Sequence, residues 1–466
     1  MFNTRKITLK KLTEYGLYLL VFLLPLQTRW IIRPGELNGG YFEYGTISLY
    51  ATDIILLAVL LLFIIDFLKN KKILNHRSSE YKPKSQITPQ RKCPWGINPL
   101  VIFACLELTV FISCCFADNK LIAFYKYAWF LLGIGFFFLI VKANYSRLKL
   151  MFNFFLGVFA SASLGIWQFL NQSSFANKWL GLAAHDPSVP GASVVEAIGN
   201  LGLGERWLRA YGTLDHPNIL GGLLTLGAII VILTVLCLKE TEGKETVAGY
   251  KYIILTYYLL FITSLFALFF TFSRAAWLAF VVGLFIILII ALIKKDRFGQ
   301  IQILKIILVS SVLFFILFTS FQNLVLVRVK GGSRLEQKSN IERLDSNKAA
   351  VDIFKDNWLI GVGMGNYTTE LAKINPSHPA YFYQPTHNAY LLIAAEIGIF
   401  GIALFLYLIL YISYSILKSE KIYKTPLIIA LIILLTFDHW LWSLHFGVLF
   451  LFFALGFVFI GDKKLE

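Results

Sequence analysis

The fold class is decided by residues 252–293, YIILTYYLLFITSLFALFFTFSRAAWLAFVVGLFIILIIALI. This stretch holds two apolar runs, with only Ser273 and Arg274 between them. Each run has the length, about 20 residues, that an α-helix needs to cross a hydrocarbon core of about 30 Å. Backbone groups in lipid must be hydrogen-bonded within the protein, so runs of this kind form helices. The stretch predicts two membrane-spanning helices joined by a tight turn.

The composition extends this interpretation to the whole chain. Of the 466 residues, 57% are hydrophobic and only 15% are charged, which excludes an ordinary soluble domain. The net charge of +16 is spread over short loops and does not form one basic stripe, so nucleic acid is not an expected partner. The sequence therefore predicts an integral membrane protein.

The apolar pattern predicts an all-α, polytopic protein with about twelve spans. It divides into an N-terminal bundle, residues 1–200, and a second transmembrane region, residues 201–460. The last two spans are also compatible with a re-entrant hairpin. The predicted spans are 13–28, 50–68, 97–116, 121–141, 150–170, 219–238, 252–272, 275–293, 301–321, 389–416, 426–445 and 446–460.

The basic residues of the loops predict the orientation. The loop 69–96 carries eight lysines and arginines and one acidic residue. With twelve spans it lies on the same side as the other short basic loops, and the positive-inside rule makes that side the cytoplasm. Both termini are then cytoplasmic, with the first span uncleaved. The long connections 28–49, 171–218 and 322–388 lie outside, and the last is expected to form an ordered, partly helical domain.

Three polar clusters fall at the outer ends of spans. Each alone has an ordinary interpretation: a charged interfacial loop, a snorkelling arginine or a helix cap. Two arginines and a histidine from separate parts of the chain, all at the same membrane edge, indicate a common site instead. The candidate residues are Arg209, His216 and Asn218 in the first cluster, Ser273 and Arg274 in the second, and His387 and Asn388 in the third.

These residue types suit transfer from a phosphate-activated donor. Arginine recognises phosphate oxygens in a planar, bidentate way, and histidine can act as a general base near neutral pH. The arginines would stabilise a departing diphosphate while the histidine takes the proton of an acceptor hydroxyl. The outer loops contain no DxD motif, which favours charge neutralisation by arginine over a divalent metal. No metal and no cofactor are expected.

Four motifs resemble, in sequence and in order, the O-antigen ligase and O-antigen polymerase superfamily. The resemblance covers about residues 200–460, and the earlier part of the chain is similar only in being a string of spans. The motifs are Arg209-Ala-Tyr-Gly-Thr-Leu-Asp-His-Pro-Asn218, Ser273-Arg274-Ala-Ala, Gly361-Val-Gly-Met-Gly-Asn-Tyr367 and His387-Asn-Ala-Tyr-Leu, the last followed by Glu396-Ile-Gly398 and Gly401.

The resemblance implies a metal-independent, inverting glycosyltransferase of the cytoplasmic membrane. Its donor would be a glycan on undecaprenyl diphosphate at the outer face, and its acceptor lipid A–core in a ligase or another lipid-linked glycan in a polymerase. Arg209 and Arg274 would contact the diphosphate, and His387 would be the base. The expected substrate-binding residues are Arg343, Asn388, His216, Asn218 and Ser273.

Several alternatives stay open at this stage. The two branches share the arginines and the His-Asn pair, so ligase is favoured over polymerase of O-antigen, capsule or exopolysaccharide without being separated from it. Transfer of glycans onto protein hydroxyls would use the same chemistry. Ser273-Arg274 is followed by Ala-Ala where the family often has glycine, a mild departure. A transporter or flippase of lipid-linked sugars would instead require ionisable residues in mid-span and broken helices.

Overall fold

The structure, a computed structural model, describes residues 8–77, 99–198, 204–238, 247–331 and 333–460. Nearly all of the ordered structure is α-helical, so the predicted class is confirmed. The helices are α1 (Leu9–Leu23), α2 (Ala51–Arg77), α3 (Pro99–Phe116), α4 (Lys120–Lys142), α5 (Arg147–Asn171), α6 (Pro217–Leu238), α7 (Val247–Phe270), α8 (Arg274–Ile293), α9 (Arg297–Ser320), α10 (Gln322–Lys330), α11 (Arg334–Asp356), α12 (Tyr367–Ile374), α13 (Ala389–Leu417), α14 (Thr425–Phe437), α15 (Trp440–Ser443) and α16 (His445–Phe459).

Eleven of the predicted spans each overlap one of these helices, whereas the predicted span 426–445 runs through α14 and α15 and reaches the start of α16. Within the described residues, seven helices are long and apolar enough to cross a membrane, and three shorter apolar helices accompany them. The seven are α2, α4, α5, α6, α8, α9 and α13. The protein is thus a multi-pass membrane protein, and the count of twelve spans stays a prediction.

Helix α6 forms the centre of the bundle. Of its apolar stretch 94% is buried, whereas in α9 only 17% is buried. Two glycines near the start of α6 allow this packing. A Cβ on Gly222 would lie 2.3 Å from the Trp440 ring, and one on Gly221 would lie 2.9 Å from Cβ of Ala276. Helices α8 and α15 therefore approach the first turns of α6 closely.

The connections at one end of the bundle contain β-structure that the sequence analysis did not predict. In residues 28–49 and just beyond, β1 (Arg29–Arg33) pairs with β4 (Ile47–Tyr50), and β2 (Glu36–Leu37) pairs with β3 (Gly40–Tyr41). Before α6, β5 (Val194–Ile198) pairs with β6 (Gly204–Leu208). All three pairs are antiparallel and two-stranded, so they are extensions of the helical bundle.

The glycine motif, Gly361-Val-Gly-Met-Gly-Asn-Tyr367, packs into a break in α13. Gly398 has φ 68°, which interrupts the helix, and the freed backbone groups bond to the preceding connection. Val362 N donates to Ala395 O at 3.0 Å, and Ile399 N donates to Trp358 O at 2.8 Å. At Gly361, φ is +78° and a Cβ would lie 2.4 Å from the Glu396 backbone. The motif is therefore required for this close approach.

The predicted cytoplasmic loop, outer domain, domain division and orientation remain predictions. From residue 78 onward the basic loop 69–96 lies outside the described residues. The segment 322–388 contains α10, α11 and α12, and α11 packs against α13. Its status as a separate domain, the division at residue 200 and the orientation in the membrane remain predictions.

We predict that Gly361→Ala destabilises the protein more than Gly39→Ala. Both glycines have positive φ, +78° and +73°, but only Gly361 has neighbours within 4 Å of a Cβ. The shared backbone strain of about 1–2 kcal/mol cancels in the comparison, and the clash adds about 1–3 kcal/mol at Gly361. Thermal unfolding of both variants in detergent measures the difference. Equal melting temperatures would mean that the glycine motif does not pack into the α13 break.

Candidate active site

The turn between α7 and α8 anchors the candidate site. Its carbonyl groups bind guanidinium groups from two distant segments: Arg209 Nε donates to Thr271 O at 2.7 Å, and Arg328 Nε donates to Phe272 O at 3.1 Å. Phe272 is fully buried with φ 48°, a left-handed backbone conformation in this turn. Arg274, the first residue of α8, follows directly. One turn therefore gathers three arginines.

Glu336 partly neutralises two of these arginines. It lies in the first turn of α11 and contacts the guanidinium group of Arg328. Arg274 Nη2 lies 3.4 Å from the Glu336 carboxylate, and Arg274 Nη1 donates to Arg328 O at 3.3 Å. The Arg274 side chain is 36% exposed, whereas that of Arg328 is 10% exposed. Arg274 is thus the arginine most open to a ligand.

A fourth arginine is aimed into the same region. Arg343 is on α11, and its Nε is buried without a hydrogen-bond partner among the residues that the structure describes. Burial lowers the pKa of Arg209, and the positive charges of Arg328 and Arg343 lower it further. We refer to Arg209, Arg274, Arg328 and Arg343 as the arginine cluster. It carries more positive charge than Glu336 balances, which is the electrostatic condition for binding a polyanion.

His387 lies beside an acidic residue from the other end of the sequence. Its Nδ1 is 3.5 Å from Oδ1 of Asp438, which occupies the turn between α14 and α15. The His439 ring lies 5.5 Å from the His387 ring, centroid to centroid. With Nδ1 facing the carboxylate, Nε2 of His387 is the nitrogen available to a substrate. At 3.5 Å the two atoms are in contact without a hydrogen bond, and such a pair can shorten when a substrate binds to a general base.

Asn218 connects the histidine to the arginine cluster. Its Nδ2 donates to Asp438 Oδ2 at 3.0 Å, while its Oδ1 accepts from Arg209 Nη2 at 2.7 Å. His216 fixes this residue in turn, because His216 Nδ1 accepts from Asn218 N at 3.1 Å. The two halves of the site are therefore held in one hydrogen-bonded chain.

The charge states around Asp438 follow from burial and from its neighbours. Burial raises the pKa of Asp438, but the adjacent His387 side chain outweighs it and holds that pKa well below its usual range. Burial lowers the pKa of His216 to about 3, helped by Arg209, and that of His439 to about 4. At neutral pH the site thus holds an ionised Asp438 between two uncharged histidines, with His387 beside them.

Two of the predicted substrate-binding residues have structural roles here. Asn388 is the N-cap of α13, and its Oδ1 accepts from Leu391 N at 3.1 Å. Ser273 is buried at the start of α8. A Cβ added to Gly221 of α6 would lie 3.0 Å from the Cβ of Ser273, so the two helices are in close contact here. The structure therefore brings together Arg209, Arg274, Arg343, His216, Asn218 and His387, while Asn388 and Ser273 support the helices that carry them.

Glu396 shows what the second part of the His387 motif does. This buried carboxylate accepts from Trp442 Nε1 at 2.8 Å, which ties α13 to α15. The Glu396 carbonyl accepts from Ser113 Oγ at 2.6 Å and from Gly363 N at 2.9 Å. Through these contacts Glu396 fixes the position of the 438–444 segment, and with it Asp438.

Sequence reasoning did not assign Asp438, His439, Arg328 or Glu336 to the site. The signal for the first two was present, because Asp438 and His439 interrupt an apolar region near the end of the chain. The predicted span 426–445 ran through both of them, whereas α14 ends at Phe437. Arg328 and Glu336 were part of a segment of mixed charge, in which nothing distinguished them from surface residues.

Three of these side chains have the spacing of a metal site. The ligand atoms of His387, Asp438 and His439 all lie within 4.8 Å of one another. The positive charge of Arg343 acts on His439, and Asp438 already binds Asn218. The positive surroundings oppose a cation, so the electrostatics of the site favour an anionic ligand.

The chain is a helical membrane protein in which arginines and a histidine meet in one candidate site. Residues 259–406 match the family described as O-antigen ligase, which confirms the resemblance to the O-antigen ligase superfamily. The match begins in α7, ends in α13 and contains Arg274, Arg328, Arg343 and His387, while Arg209 and Asp438 lie outside it. No curated protein matches the chain. The match supports a membrane enzyme of the ligase or polymerase type.

We predict that Asn218→Ala destabilises the protein by about 1–3 kcal/mol, because it removes the hydrogen bonds that Asn218 makes with Nη2 of the buried Arg209 and Oδ2 of the buried Asp438. The matched control is Asn171→Ala, which removes only an exposed bond to Trp167 O. Thermal unfolding in detergent compares the two variants. If Asn218→Ala were as mild as the control, the two halves of the site would not be joined through Asn218.

Proposed function

We propose that this protein is a glycosyltransferase that moves a glycan from an undecaprenyl-diphosphate carrier to an acceptor hydroxyl at the outer face of the cytoplasmic membrane. The observation that carries the proposal is the arginine cluster, joined through Asn218 to the His387–Asp438 pair. The favoured acceptor is lipid A–core, as in an O-antigen ligase. The basic loops predicted from the sequence put the site on the extracytoplasmic side.

The arginine cluster is the binding site for the donor diphosphate in this proposal. A diphosphate offers several oxygens, and planar guanidinium groups bind them in pairs. Arg274 is exposed enough to meet the ligand first, and Arg343 has a buried Nε free to bond to it. Phosphate oxygens would compete with the Glu336 carboxylate for Arg274 and Arg328, so donor binding loosens those ion pairs.

His387 and the arginine cluster act on opposite sides of the reacting carbon. The acceptor oxygen attacks the anomeric carbon, and its proton passes to Nε2 of His387. The bond between the anomeric carbon and the phosphate oxygen breaks, and its electron pair leaves with undecaprenyl diphosphate. Asp438 stabilises the imidazolium that forms, while the arginines stabilise the leaving group. A single displacement of this kind inverts the anomeric configuration.

The identity of the acceptor distinguishes the favoured function, an O-antigen ligase, from a polymerase. A polymerase of O-antigen, capsule or exopolysaccharide would extend a second lipid-linked glycan with the same residues. The broken helix α13, with its buried Glu396, is a feature that a flippase of lipid-linked sugars would also have. Transfer of the glycan, as opposed to its movement, discriminates between these classes.

We predict that Arg274→Ala and His387→Ala each lower glycan transfer at least 100-fold, the usual size of a charge-stabilising or general-base contribution. Arg274→Lys should fail as well, because a point charge does not reproduce the bidentate fork. The assay supplies purified protein with undecaprenyl-diphosphate glycan, and with lipid A–core or further lipid-linked glycan in separate series. Product on lipid A–core identifies a ligase, and a ladder of lipid-linked chains identifies a polymerase.

The control for these variants is Arg334→Ala. Arg334 begins α11, the helix that carries Arg343, but its side chain is 75% exposed and pairs with Glu196 at 3.3 Å. It should keep wild-type activity and the same melting temperature. Full activity of a folded Arg274→Ala, His387→Ala double variant would refute the mechanism. Absence of transfer by the wild type in both series would refute the proposed function.

We predict that removal of divalent ions with EDTA leaves transfer within about twofold of its original rate, because the arginine cluster supplies the positive charge that a metal would bring. The measurement is the initial rate in the same assay, before and after dialysis against EDTA. Loss of activity that Mg²⁺, Mn²⁺ or Zn²⁺ restores would assign the His387, Asp438 and His439 set to a metal instead.

A further inference from the structure

A buried lysine in the N-terminal half of the chain has no role in the mechanism above. Lys126 lies in the second turn of α4, one of the helices that can cross a membrane, and is only 6% exposed. Its Nζ lies 3.8 Å from the centre of the Trp129 ring and donates to Ser443 O at 3.3 Å. It makes no ion pair with the carboxylates that the structure describes. A buried ammonium group without an acidic partner is costly, which indicates a function.

The glycine motif fixes the position of Lys126. A Cβ on Gly365 would lie 2.6 Å from Cγ of Lys126, so the lysine side chain packs directly on this glycine. The next residue, Asn366, accepts from Asn119 N at 2.9 Å and donates to Asn119 O at 3.2 Å. Asn119 is the N-cap of α4. The start of α4 is therefore held against the same motif that packs into the break in α13.

The carbonyl group that Lys126 binds lies at the junction of α15 and α16. Ser443 is the last residue of α15, a helix of four residues. The last carbonyl groups of a helix have no partners within it, and lysine side chains commonly bind them. The bond from Lys126 therefore ties the N-terminal bundle to the segment that begins with Asp438 and His439.

Ser443 in turn sets the orientation of His439. Its Oγ lies 2.6 Å from Nδ1 of His439, so Nε2 is the nitrogen that faces Asp438, 3.9 Å from Oδ1. The same Oδ1 lies 3.5 Å from Nδ1 of His387. Two histidines thus flank one carboxylate oxygen, and neither is within hydrogen-bond distance of it. A small movement of Ser443 would bring His439 onto this oxygen in place of His387.

We propose that Lys126 is a positioning residue for glycan transfer. By holding Ser443 it keeps His439 away from Asp438, and the carboxylate then serves His387 when His387 takes the proton of the acceptor. This inference rests on the proposed function. Lys126 lies outside the residues that match the O-antigen ligase family, 259–406, so the inference gives the N-terminal bundle a part in catalysis. The alternative is a purely structural link between α4 and α15.

The test is a kinetic and thermal comparison of Lys126→Met with wild type in the full chain. We expect kcat to fall about 10- to 100-fold, because the base loses its aligned partner. The KM for donor and for acceptor should stay within about twofold, since the buried Lys126 does not touch either substrate. The melting temperature should equal or exceed that of wild type, because methionine fills a similar space without a buried charge. Lys120→Met, at the exposed first residue of α4, is the matched control and should keep wild-type kcat.

A double-mutant cycle with Ser443→Ala tests the route of the effect. Ser443→Ala removes the hydroxyl group that orients His439 and leaves the carbonyl group that Lys126 binds. If Lys126 acts through this serine, Lys126→Met should lower kcat little further in the Ser443→Ala background, as expected for coupled residues. Additive losses of activity would overturn the inference.

The other outcomes separate this inference from the function on which it rests. An unchanged kcat in Lys126→Met overturns the inference and leaves the transferase intact. A fall in kcat with a lower melting temperature or a higher KM assigns Lys126 a structural role and also overturns it. If the wild type transfers nothing, the proposed function fails, and the side-chain ¹⁵N resonances of His439 in wild type and Lys126→Met decide the positioning alone. Identical resonances would exclude it, and a shift would support it.

Discussion

Two guanidinium groups bind successive carbonyl oxygens of the turn between α7 and α8, and the rest of the site depends on these contacts. Arg209 holds Thr271 O and Arg328 holds Phe272 O, so segments before α6 and after α9 meet at one point. Charged groups at a membrane edge are stable only when their donors are occupied. The backbone carbonyls occupy the Nε donor of each arginine, while Asn218 accepts from one Nη of Arg209 and Glu336 from one Nη of Arg328.

The arginine cluster carries more positive charge than the acidic residue in contact with it, Glu336, balances. Glu336 contacts Arg328 and Arg274, and Asn218 satisfies one Nη of Arg209 without adding charge. Arg343 retains a buried Nε with no partner among the described residues. An amide suits this position because its Nδ2 donates to Asp438 while its Oδ1 accepts from Arg209. A carboxylate could not make both contacts, since its ionised oxygens would repel those of Asp438.

The sequence predicted those parts of the molecule that depend on local pattern. The apolar runs gave the helices, and the positions of Arg209, Arg274 and His387 at the ends of spans indicated one site. Contacts between distant segments were not predictable in this way. Asp438 lies beside His387 only because α14 ends at Phe437 and α15 turns the chain back. The hairpin of β1 and β4 was missed because strands of four or five residues have too few positions for a clear alternation.

The hydrogen bonds at the break in α13 favour an enzyme over a transporter. A broken helix with a buried acid is what transporters use to coordinate ions, because the break exposes backbone groups to the transport path. Here Val362 N and Gly363 N donate to the carbonyls of Ala395 and Glu396, and Ile399 N donates to Trp358 O. The Glu396 carboxylate accepts from Trp442. The protein's own groups therefore satisfy the backbone and the carboxylate at the break. These contacts fix the position of Asp438 relative to His387, as catalysis at a stationary site requires.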